Sequence, residues 1–320
     1  TKVLKLALDN YGMYLGYGEG CLEVKDKQKI VESYPIYQRE IGEAVLKSGN
    51  YVSTDALVSL AQFNIDTLIT DRNNVPIAML RSLDDDSHVK TRINQYEALN
   101  NSKGIYIAKQ IVLSKIEGQN RVLKKCGFKP YEPITLVESG DLKQARKTFA
   151  GLEGKVARYY YKHIFTLFPE KLRPKKRVGY KAYEGINNVF NFGYQVLRWK
   201  VHKALIKAKL EPYLGFLHST QFGKPSLVCD FQELYRYLID DFVIQYCQEL
   251  KRKDFIVKTE KLSRDKKGKR EYLNDVQTRD FSKRLNRYFE FTVEIPRIKV
   301  GKRQTIETLI NEEALLFAKY

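Results

Sequence analysis

The chain has 320 residues, 43% of them hydrophobic and 29% charged, with 56 Lys and Arg against 38 Asp and Glu for a net charge of +18. This length and balance fit a two-domain globular protein. No apolar run approaches the roughly 18 residues of a membrane span, and no basic-then-apolar leader opens the chain, so neither a membrane anchor nor a secretory signal is expected.

The excess of positive charge points to a polyanionic partner. It is concentrated at 171–181 (KLRPKKRVGYK), 200–209 and 251–270. Nucleic acid fits better than an acidic membrane, because no amphipathic anchor with a bulky apolar face accompanies these clusters. The four cysteines, Cys21, Cys126, Cys229 and Cys247, include no C-x-x-C pair. They read as buried free thiols of a reducing, cytoplasmic compartment.

In chain order, the first 80 or so residues read mainly as strand. Val3 to Leu8 is an apolar run, and short runs follow at Met13 to Tyr17 and Cys21 to Val24. Gly16, Gly18 and Gly20 divide them as turn residues; no helix follows, which excludes a dinucleotide loop. Ser53 caps a short helix with Ala56, Leu57, Leu60 and Ala61 on one face. Asp71-Arg72-Asn73-Asn74 is a hairpin turn between two strands. The polar stretch Asp84-Asp85-Asp86-Ser87 is a boundary, so the expected layout is a β domain at 1–83, a linker at 84–87 and a helical domain at 88–320. In that second domain Ser87 caps a helix starting at His88. Ile105, Ala108, Val112 and Ile116 repeat at helical spacing, as do Phe190, Tyr194, Leu197 and Val201, and then Ile306, Ile310, Ala314 and Phe317. Residues 251–270 read as a mobile basic loop or a hairpin. The fold class is α+β, with an N-terminal β-rich domain and a larger helical C-terminal domain.

The residues most suggestive of chemistry lie at 212–236. His218 precedes a loop containing Gly223 and Pro225, and Asp230 and Glu233 follow at i, i+3 on the next helix, where both emerge on one face. Carboxylate oxygens suit Mg²⁺ or Mn²⁺, and an imidazole tilts the preference towards Mn²⁺. The same carboxylates also suit a solvated helix start, and spacing alone leaves both readings open. Lys224 and Arg236 approach this position and are candidates for substrate phosphate. Arg158 lies in Arg158-Tyr159-Tyr160-Tyr161-Lys162, where basic and aromatic residues interleave as on surfaces that stack bases and hold phosphates; core packing of the tyrosines is the alternative. His163 and His202 read as structural or as weak phosphate contacts.

The segment PYLGFLHSTQFGKPSLVCDFQELYR (212–236) resembles the active-site segment of the CRISPR-associated integrase family, the metal-dependent nucleases of spacer acquisition. GLEGKVARYY (151–160) resembles the family's segment with its first metal-binding glutamate. GINNVFNFGY (185–194) resembles its N-x-x-L-x-F/Y-G-Y helix, with Gly185 in place of a frequent proline and Phe190 in place of leucine. KSGNYVS (47–53) resembles its β domain more loosely. The resemblance implies Glu153, His218 and Glu233 as ligands of Mg²⁺ or Mn²⁺, with Asp230 in support of catalysis. It also implies a homodimer joined through the β domains, and a small ferredoxin-like CRISPR-associated subunit completing a heterotetramer or larger complex. The expected activity is insertion of short duplex DNA into a CRISPR array by 3′-hydroxyl attack, together with DNA cleavage. Charge and aromatics alone would serve equally a non-catalytic nucleic-acid-binding scaffold, and the same site would serve a structure-selective repair nuclease.

Overall fold

The structure, a computed structural model, describes residues 4–38, 41–72, 74–83, 89–136, 140–179, 182–263, 266–295, 297–298 and 301–320. The expected linker at 84–87 and the helix start at His88 lie outside the described residues. The chain divides into two compact units, Thr1–Ser87 and His88–Tyr320, each with its own buried apolar cluster.

In the first unit the elements run β1 (Leu4–Ala7), β2 (Tyr14–Gly18), β3 (Cys21–Asp26), β4 (Lys29–Pro35), β5 (Ile41–Lys47), β6 (Tyr51–Val52), α1 (Thr54–Gln62), β7 (Asp66–Thr70) and β8 (Pro76–Leu80). Among the described residues they form two four-stranded sheets, ordered β1-β5-β7-β8 and β4-β3-β2-β6. β1, β5 and β7 are parallel, and β8 returns antiparallel to β7. A parallel pair needs a long crossover; β6 and α1 supply it between β5 and β7. The turn between β2 and β3 is Glu19-Gly20, with φ of 50° and 78°, the backbone of a tight hairpin turn whose two central residues both need positive φ. Ser53 caps α1, its Oγ accepting the Ala56 N–H at 3.1 Å. Leu6, Leu8, Leu15, Leu22, Ala44 and Leu60 fill the core.

The second unit comprises α2 (Val89–Ala98), α3 (Ser102–Lys125), α4 (Leu142–Ile164), α5 (Gly185–Lys207), α6 (Ser226–Glu233), α7 (Arg236–Tyr246), β9 (Phe255–Ser263), β10 (Lys266–Leu273), α8 (Asp275–Phe289), β11 (Thr292–Val293), β12 (Gln304–Thr305) and α9 (Ile306–Lys319). The α+β class is the expected one. The helical unit is interrupted by strands, however: residues 251–270 fall largely in the antiparallel hairpin of β9 and β10, so the hairpin reading of that stretch holds. Phe231 and Phe242 do not share one continuous helix, because the chain breaks between α6 and α7 at Leu234 and Tyr235. Both residues are buried, and the Tyr235 hydroxyl donates to Glu313 on α9.

Helices α3, α5 and α7 pack closely where side chains are missing. A Cβ at Gly193 of α5 would lie 2.6 Å from Cγ2 of Ile239, and one at Gly118 of α3 would lie 2.5 Å from the Tyr237 ring. Overpacking such a contact typically costs about 1–3 kcal/mol. Gly193→Val is therefore expected to lower unfolding stability by about that amount, measured as a fall in the urea midpoint at unchanged slope.

Candidate active site

The loop before α6 is tied to the helix by one side chain. Asp230, fully buried, points back along the chain. Its Oδ2 accepts the backbone N–H groups of Phe216 at 2.6 Å and Leu217 at 3.0 Å. Its Oδ1 accepts the His218 N–H at 2.8 Å and stands 2.7 Å from the His218 ring Nδ1. Arg146 of α4 holds the same turn from the carbonyl side, donating to Phe216 O at 2.6 Å and Gly215 O at 2.8 Å. No side chain fits at Gly215, where a Cβ would come 2.6 Å from His218 O. Ser226 Oγ closes the loop on Ser219 O at 2.9 Å. Asp230 thus engages Nδ1 of the half-buried imidazole and leaves Nε2 as the nitrogen available for other work. A carboxylate behind a histidine fixes both ring orientation and tautomer.

The second cluster brings Glu153 and Glu233 together through a lysine. Lys115 of α3 lies with Nζ 2.8 Å from Glu153 Oε1 on α4 and 2.8 Å from Glu233 Oε2 at the end of α6. Arg236, the first residue of α7, donates Nη1 to Glu233 Oε1 at 2.8 Å and lies 4.1 Å from the centre of the Tyr194 ring. The side chains are largely withdrawn from water: Lys115 is 16% exposed, Glu153 18% and Glu233 7%. Burial by itself raises the Glu233 carboxyl, but Arg236 and then Lys115 outweigh it and hold the group at about 2. Burial likewise opposes the charge on Lys115, and Glu233 and Glu153 more than restore it, raising its pKa. Two cations and two carboxylates make a neutral set. Glu233 Oε2 is buried, and the Lys115 ammonium at 2.8 Å is the partner that meets it.

Beneath this set lies a buried hydroxyl network. Tyr160 donates to Asp240 Oδ2 at 2.9 Å, Tyr194 donates to Asp240 Oδ1, and the hydroxyls of Tyr161 and Tyr194 meet at 3.0 Å. Burial raises the Asp240 carboxyl above the usual carboxylate range despite these donors. A cavity of about 270 Å³ opens beside Glu233, lined by Lys115, Tyr161, Arg177, Arg236 and Asp240 among others. Tyr161 and Arg177 also border a larger groove of about 740 Å³ carrying Arg158, Lys162, Arg173, Lys175 and Lys176.

The structure therefore joins Glu153 to Glu233 and His218 to Asp230. It does not gather the three expected ligands into one cluster: among the described residues no group of three or more His, Cys, Asp or Glu is close enough to hold an ion. Arg236, expected to face substrate phosphate, is instead paired with Glu233. Arg158 is exposed on the basic groove, and Lys224 is half-buried in the loop after His218. His163 is held structurally, with Nδ1 2.8 Å from Tyr159 O and its ring against Phe128 and Tyr159. Burial and then Arg198 lower the pKa of His202. The four cysteines are free, but only Cys247 is buried; Cys21, Cys126 and Cys229 are half-buried, contrary to the expectation of four buried thiols.

Sequence reasoning missed Lys115, Arg146 and Asp240. The signal for Lys115 was present: it lies three and four residues from Val112 and Ile111 and four from Gln119, all buried, so it is a charge on the apolar face of a helix. Such a charge is nearly always paired.

A family model described as "CRISPR associated protein Cas1" matches residues 6–278. The chain belongs to the Cas1 family. Among Cas1 relatives it is similar to a CRISPR-associated endonuclease Cas1 from Francisella tularensis subsp. novicida, 30% identical over 262 residues that cover 78% of this chain and 81% of that protein. A second such Cas1 endonuclease, from Archaeoglobus fulgidus, is 27% identical over 273 residues, covering 75% and 77%. Solved structures share the fold: a casposase bound to integration product, with a TM-score of 0.69 at 20% identity, covering all of this chain and 95% of that one; and a Cas1 protein from Thermotoga maritima, with a TM-score of 0.68 at 19% identity, covering 99% and 96%. No helix among the described residues is long and apolar enough to cross a membrane.

The donor set suits the divalent ion expected from sequence. Two carboxylates face one buried cationic position, and their oxygens are donors suited to Mn²⁺ or Mg²⁺, while the imidazole of His218, its Nδ1 engaged by Asp230, stands outside that pair.

Because Asp230 satisfies three backbone N–H groups at once, Asp230→Ala is expected to cost at least about 2 kcal/mol. Faster hydrogen exchange at the amides of Phe216, Leu217 and His218 should accompany the loss; unchanged protection there would contradict the assignment.

Proposed function

We propose that this Cas1 family member is a metal-dependent DNA endonuclease and integrase that inserts short duplex DNA into a CRISPR array by 3′-hydroxyl attack on a phosphodiester. The observation that carries the reading is the paired carboxylates of Glu153 and Glu233 around a single cationic position, beside a groove lined with basic side chains. Glu153, Glu233 and His218 Nε2 would hold Mg²⁺ or Mn²⁺. Once bound, the ion supplies Lewis acidity to the phosphoryl oxygen and makes the attacking hydroxyl or water more acidic.

The remaining work falls to the chain itself. Asp230 fixes the ring of His218, and Arg146 holds the turn that carries it. Arg236 keeps Glu233 ionised and in place. Arg158, Lys162 and Lys175 offer positive charge to the backbone of the DNA strand, a sequence-independent attraction that salt screens. Water or a sugar hydroxyl can serve as nucleophile at the same site, so cleavage and strand transfer share it.

As partners we propose DNA, a second copy of the chain and a small ferredoxin-like CRISPR-associated subunit. The first unit exposes Ile30, Val31, Tyr37, Tyr51 and Ile77, apolar surface that supports dimerisation through it. A structure of similar fold is a partial Cas6-RT-Cas1–Cas2 complex, with a TM-score of 0.68 at 18% identity, which is consistent with a Cas2-type partner. A cytoplasmic location fits the free thiols and the substrate.

The test is branched-DNA cleavage and disintegration with and without Mn²⁺. His218→Ala and Glu153→Gln are each expected to reduce turnover by at least about a hundredfold, the scale on which removal of an acid–base group or metal ligand acts, while salt-sensitive DNA binding stays nearly intact. If the parent protein binds DNA and never cuts it, the chain is a scaffold. Integration into a repeat-bearing plasmid separates an integrase from a repair nuclease.

A further inference from the structure

Lys115 belongs to no sequence motif noted above, yet its ammonium is the centre of the acidic pair. Among the described residues it is the side chain that forms an ion pair with both Glu153 and Glu233. α3 carries it on a face otherwise packed with Ile111, Val112, Ile116 and Gln119, so the aliphatic stem is held and the charged end is delivered between α4 and α6. With Arg236 already on the far oxygen of Glu233, the two carboxylates are fully balanced by two cations. A divalent ion at the same oxygens would add two positive charges to a site whose negative charge is already spoken for. At separations of a few ångströms that repulsion is large, even with the effective screening of a protein interior.

We infer that Lys115 is a built-in competitor of the catalytic divalent ion, occupying the Glu153–Glu233 pair when no ion is bound and having to withdraw its ammonium for the ion to enter. The inference rests on the metal reading above and deepens it. It assigns α3 a regulatory role at the site: the affinity for Mn²⁺ is the intrinsic affinity of the carboxylates reduced by the fraction of time the ammonium stands aside. Glu233 Oε2 is met by this ammonium and Glu233 Oε1 by Arg236, so withdrawal of the lysine leaves Oε2 for the ion while the arginine keeps the carboxylate in place. The length and flexibility of a lysine stem suit such a movement, whereas the planar fork of Arg236 suits a fixed clamp.

The experiment measures Mn²⁺ binding directly, by the fall in the free-ion electron paramagnetic resonance signal, on full-length protein without DNA. Lys115→Met keeps the aliphatic stem and removes the charge. It is expected to bind Mn²⁺ at least about tenfold more tightly than the parent, and Mn²⁺ should raise its melting temperature by more than it raises the parent's. Lys115→Arg retains the charge and should bind no more tightly than the parent, which separates loss of the competitor from a general loosening of the site. If Lys115→Met binds Mn²⁺ equally or more weakly while its circular dichroism matches the parent, the competition is refuted and Lys115 is a structural counter-charge. Should Lys115→Met fail to fold, Lys115→Gln replaces it with the same expected direction. Glu153→Gln in the parent background identifies the site. Binding that survives it lies elsewhere, and in that case the metal reading itself fails, together with this inference.

Discussion

Two carboxylates from different helices approach one another inside this protein only because a lysine from a third helix lies between them. Glu153 and Glu233 come from α4 and α6, Lys115 from α3, and Arg236 from the start of α7. Without the cations, two like charges this far from water would repel, and one would take up a proton. With them, Glu233 stays ionised at any ordinary pH. Removing one partner of a buried ion pair costs about 3–5 kcal/mol, so the quartet helps to register four helices as well as to define the site. The order of consequence runs from helix packing to charge placement to chemistry.

The second anchor works differently. Among the described residues Asp230 pairs with no ammonium or guanidinium; it gathers backbone N–H groups and one ring nitrogen. Its neighbour three residues along, Glu233, faces cations. The i, i+3 pair therefore divides its labour, one carboxylate shaping the loop that carries His218 and the other facing the basic cleft. Membership of the Cas1 family gives the fold and the broad class of activity; the side-chain geometry gives a physical account of why these particular acids sit where they do.

Much of this was legible in the residues. The helical repeats through Ile105, Phe190 and Ile306 mark α3, α5 and α9, because long apolar stripes have few alternative conformations. Ser53 marks the start of α1 through its side-chain oxygen. What escaped was of two kinds. β4 and the parallel pairing of β1, β5 and β7 were not visible: β4 is mostly exposed and carries no clean alternation, and parallel pairing is decided by long-range packing. Side chains that act across helices escaped as well. Arg146 and Asp240 look like ordinary charged positions until the helices are assembled, and the break at Leu234 and Tyr235 has no Gly or Pro to announce it. Glu153 was identified through family resemblance alone, since an isolated glutamate on a helix has no local signature.

Helix α6 also acts as a ruler. One end of the His218 loop is pinned by Asp230 to the amides at 216–218, and the other by Ser226 to Ser219. Between Ser219 and Ser226 the tip at 220–223 is exposed, with Phe222 standing clear of the surface. The separation between the imidazole's anchor and the second acidic side chain is thus one helical turn, whatever the length of the tip. Descendants of this chain can lengthen, shorten or recolour that tip to suit a different substrate while the spacing beneath it stays the same.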